Sequence, residues 1–261
     1  MTEAMRFMAA VPVVPVRSEP RDNAEMVTQI LAGESVVIQS HGEKDWVHIC
    51  CTWDGYEGWA DRKQLTSSNG ANDEHMSRVA IRLEPWKRVA NDLVVHFSMG
   101  SQFHGNGKVV ILGDWKYERQ SLIHGPVHPS SPVKWAEQLL GTPYLWGGRS
   151  SFGCDCSGLV QLAFQMTGCC PPRDAAQQYL LGSQVSPAKA EVGDLAFFSN
   201  SNGHIVHVGF VLADGQILHA AGEVRIDRLT PAGILREPQG ELTHNLAGIK
   251  RWAPSDFQKS S

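Results

Sequence analysis

The sequence predicts an α+β protein: one or two small all-β barrels, then a domain in which helices pack on an antiparallel sheet. Three observations predict it. From residue 7 to 66, short apolar runs alternate with turn signals at a spacing of about 8–12 residues. Between residues 131 and 172, two stretches carry helical apolar periodicity with start and stop signals. After residue 193 the chain returns to short strand-like runs. Helices followed by a run of strands indicate α+β, not a wound parallel sheet.

Composition narrows the function classes. The 261 residues carry a net charge of -4 and 42% hydrophobic residues, enough for two or three small domains. The mild acidity and the lack of a basic run argue against a nucleic-acid partner. No stretch of about 18 apolar residues is present, so no membrane span is expected. The N-terminus holds Glu3 and Arg6, and its apolar run is broken by Pro12 and Pro15, which does not resemble an export signal. The six cysteines (Cys50, Cys51, Cys154, Cys156, Cys169, Cys170) form vicinal or alternate pairs, unlike a disulfide framework. A reduced, cytoplasmic setting is therefore expected. Nothing in the sequence sets the oligomeric state; a monomer is the working expectation.

Taken in order, residues 1–67 read as the first barrel. Its strands are expected at Val11–Val16, Met26–Leu31, Ser35–Gln39, Trp46–Cys50 and around Gly58-Trp59-Ala60. Trp46 and Trp59 are expected in its core. Thr66 to His75 reads as a polar linker. Residues 76–128 are expected to form a second, shortened barrel, with strands at Asn91–Phe97 and Lys108–Leu112, and His124 and His128 in a linker. The last domain, residues 130–254, opens with Ser131-Pro132 as N-cap and first helical residue. Val133, Ala136, Leu139 and Leu140 supply that helix's apolar face, and Gly141 ends it. Strands follow at Gly193–Ser199, His207–Leu212, Gln216–Ala220 and Leu246–Trp252.

The chemistry centres on Gly141 to Gln178, where Cys156 stands at the junction of a Gly-rich loop and an apolar helix. Leu159, Val160, Leu162, Ala163, Phe164 and Met166 make it a core helix, ended by Gly168 and Pro171-Pro172. A thiol in the first turn lies near unpaired N–H groups and the positive end of the macrodipole, which favours thiolate near neutral pH. A thiolate nucleophile needs a base, itself oriented by a third group. His207 and His219 suit these roles if they share one face of a hairpin. A two-residue Asp214-Gly215 loop would put them on opposite faces. A three-residue Ala213-Asp214-Gly215 loop, with Leu212 paired to Gln216 and Gly215 at positive φ, puts them together. Alternatives stay open: structural histidines, or a metal held by His204, His207, Cys154 and Cys156, although that spacing is not a usual zinc pattern.

The motifs PYLWGG, DCSGLV, PRDAAQQ, GDLAFF, HVGF and LHA, in this order, resemble the NlpC-type papain-like cysteine peptidases that cut bacterial cell-wall peptides. The intervals agree: Tyr144 lies 12 before Cys156, His207 lies 51 after it, and His219 follows 12 later. The resemblance implies a papain-like catalytic domain, with Cys156 as nucleophile, His207 as base, His219 as its orienter and the Tyr144 phenol on the oxyanion. It also implies that Asp155, Ser157, Arg173 and Asp174 contact substrate; the physical alternative for Asp155 is a helix N-cap. Relatives often carry Ser where this chain has Ala175. The N-terminal stretch through DGYEGWADRKQL resembles bacterial SH3-like domains fused to such hydrolases. Relatives of this arrangement without an export signal are similar to recycling endopeptidases, which cut the γ-D-glutamyl bond to the diamino acid of murein tri- and tetrapeptides with a free N-terminal L-Ala. In that group a tyrosine and an acidic residue of the SH3-like domain read the amine, here Tyr56 and Glu25. Glu25 is chosen because it stands two residues before Val27, on the same face of an uninterrupted strand. No metal or organic cofactor is implied. Another papain-like amidase or acyltransferase, and a non-catalytic protein that binds wall fragments, are the other readings.

Overall fold

The computed structural model describes residues 6–67, 77–78, 80, 83–105, 108–120 and 131–257. The expected linkers at 68–75 and around His124 and His128 lie outside these residues. The chain divides into two compact units, Met1–Val127 and His128–Ser261.

In the first unit, strands β1 (Arg6–Ala9), β2 (Val13–Arg17), β3 (Met26–Leu31), β4 (Ser35–His41), β5 (Trp46–Cys51), β6 (Glu57–Asp61) and β7 (Leu65–Ser67) form an antiparallel sheet in the order β3-β2-β6-β5-β4-β1-β7. All five expected strands lie within a residue or two of these. β1 was not anticipated, and Thr66 belongs to a strand, not to a linker. The core gathers Phe7, Val14, Val16, Ile30, Val36, Val47, Ile49, Cys51 and Ala60. Along β5 the burial alternates, with Val47, Ile49 and Cys51 inward. Trp46 and Trp59 are therefore not core residues: both are half-buried on the other face, where Trp59 meets His48 edge-on at 5.1 Å. A register shift opposite Val16 and Arg17 leaves Val27 as the extra residue of a bulge.

A second antiparallel sheet has the order β10-β9-β13-β12-β11-β8, from β8 (Ser77–Arg78), β9 (Glu84–Arg88), β10 (Val94–Phe97), β11 (Gln102–Gly105), β12 (Val109–Leu112) and β13 (Trp115–Arg119). Trp86, Phe97, Phe103 and Tyr117 make its aromatic core, and Met8 of β1 and Ala32, just after β3, complete it. The two sheets approach through backbone. Gln102 N–H donates to Ala32 O at 2.8 Å. A Cβ on Gly33, at φ +79, would lie 1.7 Å from Gln102 O, so only glycine fits there.

The second unit holds α1 (Pro132–Glu137), β14 (Arg149–Ser150), β15 (Gly153–Cys154), α2 (Cys156–Gln165), α3 (Ala175–Gln178) and strands β16 (Ser183–Val185), β17 (Leu195–Ser199), β18 (Ile205–Val211), β19 (Gln216–Ala221), β20 (Glu223–Thr230), β21 (Gly233–Arg236) and β22 (Glu241–Arg251). Helix α1 starts on Ser131 and Pro132 as expected, but Leu140 is exposed and Trp135 is buried in its place. The large sheet runs β16-β22-β17-β18-β19-β20-β21. β22 also pairs with β21 through Glu241–Asn245, so β17 to β22 close into a ring. Closure removes free strand edges. The apolar part of its inner face comprises Ala196, Phe198, Val211, Ile217, Ile234 and Ile249. The outer face takes the helices: Phe210 stacks on Phe164 of α2, and Phe197 meets Tyr179 after α3. With both faces covered, β17 is apolar throughout Leu195–Phe198.

Candidate active site

The position of Cys156 follows from the residues around it. Cys156 is the first residue of α2, and all ten residues of that helix are buried. Asp155 caps it, accepting from Gly158 N–H at 2.7 Å. A Cβ on residue 158 would lie 2.1 Å from Gly148 O, so glycine at this position lets the 147–148 loop close over the first turn. Gly147 N–H donates to Asp155 Oδ2 at 2.9 Å. Arg173 grips the same carboxylate with two hydrogen bonds, Nη1 to Oδ1 at 3.0 Å and Nη2 to Oδ2 at 2.6 Å, and reaches Ser157 Oγ at 2.9 Å. Asp155, Ser157 and Arg173 are thus brought together as a buried network beside Cys156. Asp155 is the N-cap, one of the two roles expected of it. Asp174 precedes α3 and is half-buried, its carbonyl accepting from Gln178 N–H.

The thiol lies against β18, with Sγ 4.0 Å from Val206 O. The next residue is His207. The hairpin has the three-residue loop: Val211 pairs with Ile217, Leu212 N–H donates to Gln216 O, and Gly215 has φ 65. Asp214, at φ 57, also takes the left-handed conformation. His207 and His219 consequently share the inner face of the ring, where His207 Nε2 and His219 Nδ1 are 2.8 Å apart. The line continues to a residue the sequence did not single out. His219 Nε2 lies 3.0 Å from Asp227 Oδ2, and the other oxygen of Asp227 accepts from Arg225 and from Glu237 N–H. The network assigns the protons. A carboxylate accepts, so His219 carries hydrogen on Nε2 and its Nδ1 accepts from His207 Nε2–H. That leaves the lone pair on His207 Nδ1.

His244 on β22 is the second residue missed. Its ring stacks on His207 with centroids 4.2 Å apart and planes 26° from parallel.

The electrostatics correct one expectation. Burial, followed by the Asp155 carboxylate, pushes the Cys156 thiol up to about 12; the N–H groups of Val208 and Ser157 and the Arg173 charge pull the other way without overcoming it. Burial, with His219 and His244 beside it, holds His207 well below the usual imidazole value. The resting pair is thus neutral thiol and neutral imidazole, not a preformed thiolate. His219 is lowered to about 4 by burial, against the pull of Asp227. Burial raises Asp227, but the hydrogen bonds from His219 and Arg225 outweigh it and leave the carboxyl below its ordinary value.

Tyr144 is clamped by its N–H to Gly222 O at 2.9 Å and by a bridge to Cys154. Burial, then the Cys156 and Asp155 charges, raise its phenol to about 12, so it stays a donor. Glu25 and Tyr56 belong to the other unit. Tyr56 closes the β5–β6 hairpin, with its N–H to Asp54 Oδ1 at 3.0 Å and its carbonyl accepting from Cys51 N–H at 2.8 Å. Glu25 is exposed just before β3, whereas Val27 packs against the core. The bulge at Val27 breaks the alternation on which a shared face for these two residues rested.

The NlpC/P60 family model matches residues 141–237, and that of the bacterial dipeptidyl-peptidase Sh3 domain matches residues 16–65. A gamma-D-glutamyl-L-lysine dipeptidyl-peptidase of Bacillus subtilis (strain 168) is 31% identical over 215 residues, 74% of this chain and 71% of that protein. One from Bacillus cereus (strain ATCC 10987 / NRS 248) is 27% identical over 271 residues, 88% of this chain and 76% of that protein. Among solved structures, an NlpC/P60 family protein from Bacillus cereus ATCC 10987 superposes with a TM-score of 0.77 over 95% of this chain and 99% of its own, at 20% identity, a likeness of fold. With Cys156 and the His207–His219–Asp227 line inside the matched segment and a relative of this identity covered over most of its length, the chain belongs to the NlpC/P60 family of papain-like cysteine peptidases, behind an N-terminal bacterial SH3 domain.

Proposed function

We propose that this peptidase hydrolyses the bond between γ-D-glutamate and the diamino acid of short murein peptides that begin with a free L-Ala, in cytoplasmic cell-wall recycling. The observation that carries the chemistry is the buried His207–His219–Asp227 line, which begins on the strand that meets the Cys156 thiol. The substrate class rests on the two relatives named for gamma-D-glutamyl-L-lysine dipeptidyl-peptidase activity.

Cys156 Sγ attacks the γ-amide carbonyl as its proton moves to His207 Nδ1. His219 and Asp227 stabilise the imidazolium through Nε2–H. The first-turn N–H of Cys156 and the Tyr144 phenol hold the oxyanion, at about 3 kcal/mol per donor. His207 then protonates the leaving amine, and the C–N bond breaks to give a thioester. Water, deprotonated by His207, releases L-Ala-D-Glu and restores the thiol. In the proposed complex Asp155, Ser157, Arg173 and Asp174 line the substrate site, and Glu25 and Tyr56 read the free amine. A carboxylate at Glu25 pairs an ammonium that an internal peptide lacks.

Mass spectrometry of L-Ala-γ-D-Glu-diaminopimelate and its L-lysine counterpart, each free and N-acetylated, tests the proposal. Release of L-Ala-D-Glu from free peptides only, lost in Cys156→Ala, is the expected result. Cleavage of acetylated peptide as well would remove the amine reading, and Glu25→Gln should then leave KM unchanged. No cleavage of any peptide would refute the substrate assignment. Immunoblots of cell fractions check the compartment, and light scattering checks the expected monomer.

A further inference from the structure

His207 is anchored at one atom by its hydrogen bond to His219. A single bond at Nε2 does not orient the ring. Nε2 lies close to the Cβ–Cγ axis, and the final torsion of histidine is broad, so the ring can twist while that bond survives. Such a twist would change the direction in which Nδ1 points. A flat group against the ring face would prevent it, and the structure places one there. The His244 ring lies 4.2 Å from the His207 ring, close to parallel, and its Nδ1 is 2.9 Å from Thr243 Oγ1. Phe198 lies tilted against His207 at 5.8 Å and edge-on to His244 at 5.9 Å, and His219 stands edge-on to both at 5.0 and 6.0 Å.

We propose that His244 is a positioning residue for His207: it holds the plane of the imidazole so that Nδ1 faces Cys156, and it presents a neutral aromatic face to the imidazolium formed when the thiol proton arrives. This rests on the assignment of His207 as the base. The titratable and charged groups around His244 are His207 on β18, His219 on β19 and Asp227 on β20, with Arg225 bonded to the far oxygen of Asp227. Burial holds His244 below the usual imidazole value, so its face is neutral at pH 7. A neutral ring face attracts a stacked cation, and a protonated one repels it.

Peptide cleavage and iodoacetamide labelling of Cys156 test the proposal, compared across wild type, His244→Ala, His244→Phe and His207→Ala. His244→Ala is expected to lower kcat by about tenfold with KM little changed, the mark of lost orientation. His244→Phe restores a flat, uncharged partner. It should recover most of kcat and shift the acid limb of the pH profile upward, because no charge on residue 244 then holds the His207 imidazole down. Labelling needs no substrate, so it separates this proposal from the choice of peptide. At a given pH it should slow in His207→Ala, slow partly in His244→Ala and recover in His244→Phe. Wild-type behaviour of His244→Ala, or a His244→Phe protein as slow as His244→Ala, would overturn the proposal. Wild-type labelling of His207→Ala would remove the base itself, and the proposal with it. Thermal unfolding of each variant establishes that it is folded.

Discussion

Two seven-stranded antiparallel sheets, one in each unit, use the same alternation for different ends. In the first sheet the inward row of β5 is Val47, Ile49 and Cys51, and the ring-bearing Trp46 and His48 face outward. In the catalytic ring the inward row begins in the same way, with Val211 and Ile217, then passes to His207, His219 and Asp227. Leaving a buried polar group without a partner costs about 1–3 kcal/mol. The ring meets that cost by making each polar group the partner of the next. The first sheet's core holds itself together; one end of the ring's core is a chain of polar contacts.

The largest effect that tests this contrast is His207→Ala. It should lower kcat/KM by about 10²–10⁴, the usual contribution of a general base, in a protein that still folds. Ile49→Ala is its counterpart in the first sheet, removing a fully buried side chain. Chemical denaturation should show the first unit destabilised by about 2–5 kcal/mol. Cys156 labelling in the folded variant should not change. A changed labelling rate would mean that the first sheet's core does not act for its own unit alone.

Asp227→Asn sharpens the same point, because one carboxylate serves His219 and Arg225. The amide would present N–H to His219 Nε2 and favour the tautomer that no longer accepts from His207. Turnover should fall, and stability should drop by about 2–3 kcal/mol, the range for a buried hydrogen bond to a charged group.

The ring should also respond to acid. His219 is lowered from 6.5 to about 4 in the folded state. Below pH 6.5 the unfolded chain takes up a proton that the native one refuses, so stability falls as pH drops toward 4. One imidazole accounts for about 3 kcal/mol of that loss. His207 and His244 shift in the same direction. Asp227, with its folded value lowered, adds a further loss at still lower pH. Scanning calorimetry between pH 7 and 4 should show the catalytic unit's transition moving down. A transition that does not move would mean these imidazoles are not buried neutral.

The sequence made much of the ring legible where structure is local. The hairpin around Asp214 follows from strand period and turn chemistry alone, and it suffices to bring His207 and His219 to one face. The start of α2 was legible for the same reason. Asp227 was not, because β20 inverts its own pattern: Ile226 is exposed and Asp227 is buried. His244 was hidden by distance. It reaches His207 only because β22 closes the ring, through a register shift between Ile234 and Leu235 that nothing in the local sequence announces. At Glu25 the period-two rule was applied across a bulge, where it does not hold. The raised thiol of Cys156 was invisible for another reason: helix-terminus chemistry is local, whereas the burial that outweighs it comes from the whole fold.

The smallest effect tests alternation itself. By size, Trp59→Ala removes far more than Ile49→Ala, and a reading that places Trp59 in the core expects the larger loss from it. In the structure Trp59 lies on the outer face, half-buried, touching the edge of His48 at 5.1 Å. Its ring is still partly wetted, so truncation opens no closed cavity, and what is lost is one aromatic edge contact with the area beneath it. The expected cost is about 1 kcal/mol, below that of Ile49→Ala, with the bigger side chain giving the smaller change. Equilibrium urea unfolding of the two variants decides the order. A loss in Trp59→Ala equal to or above that of Ile49→Ala would place the tryptophan in the core after all, and would undo the division of faces on which the comparison of the two sheets rests.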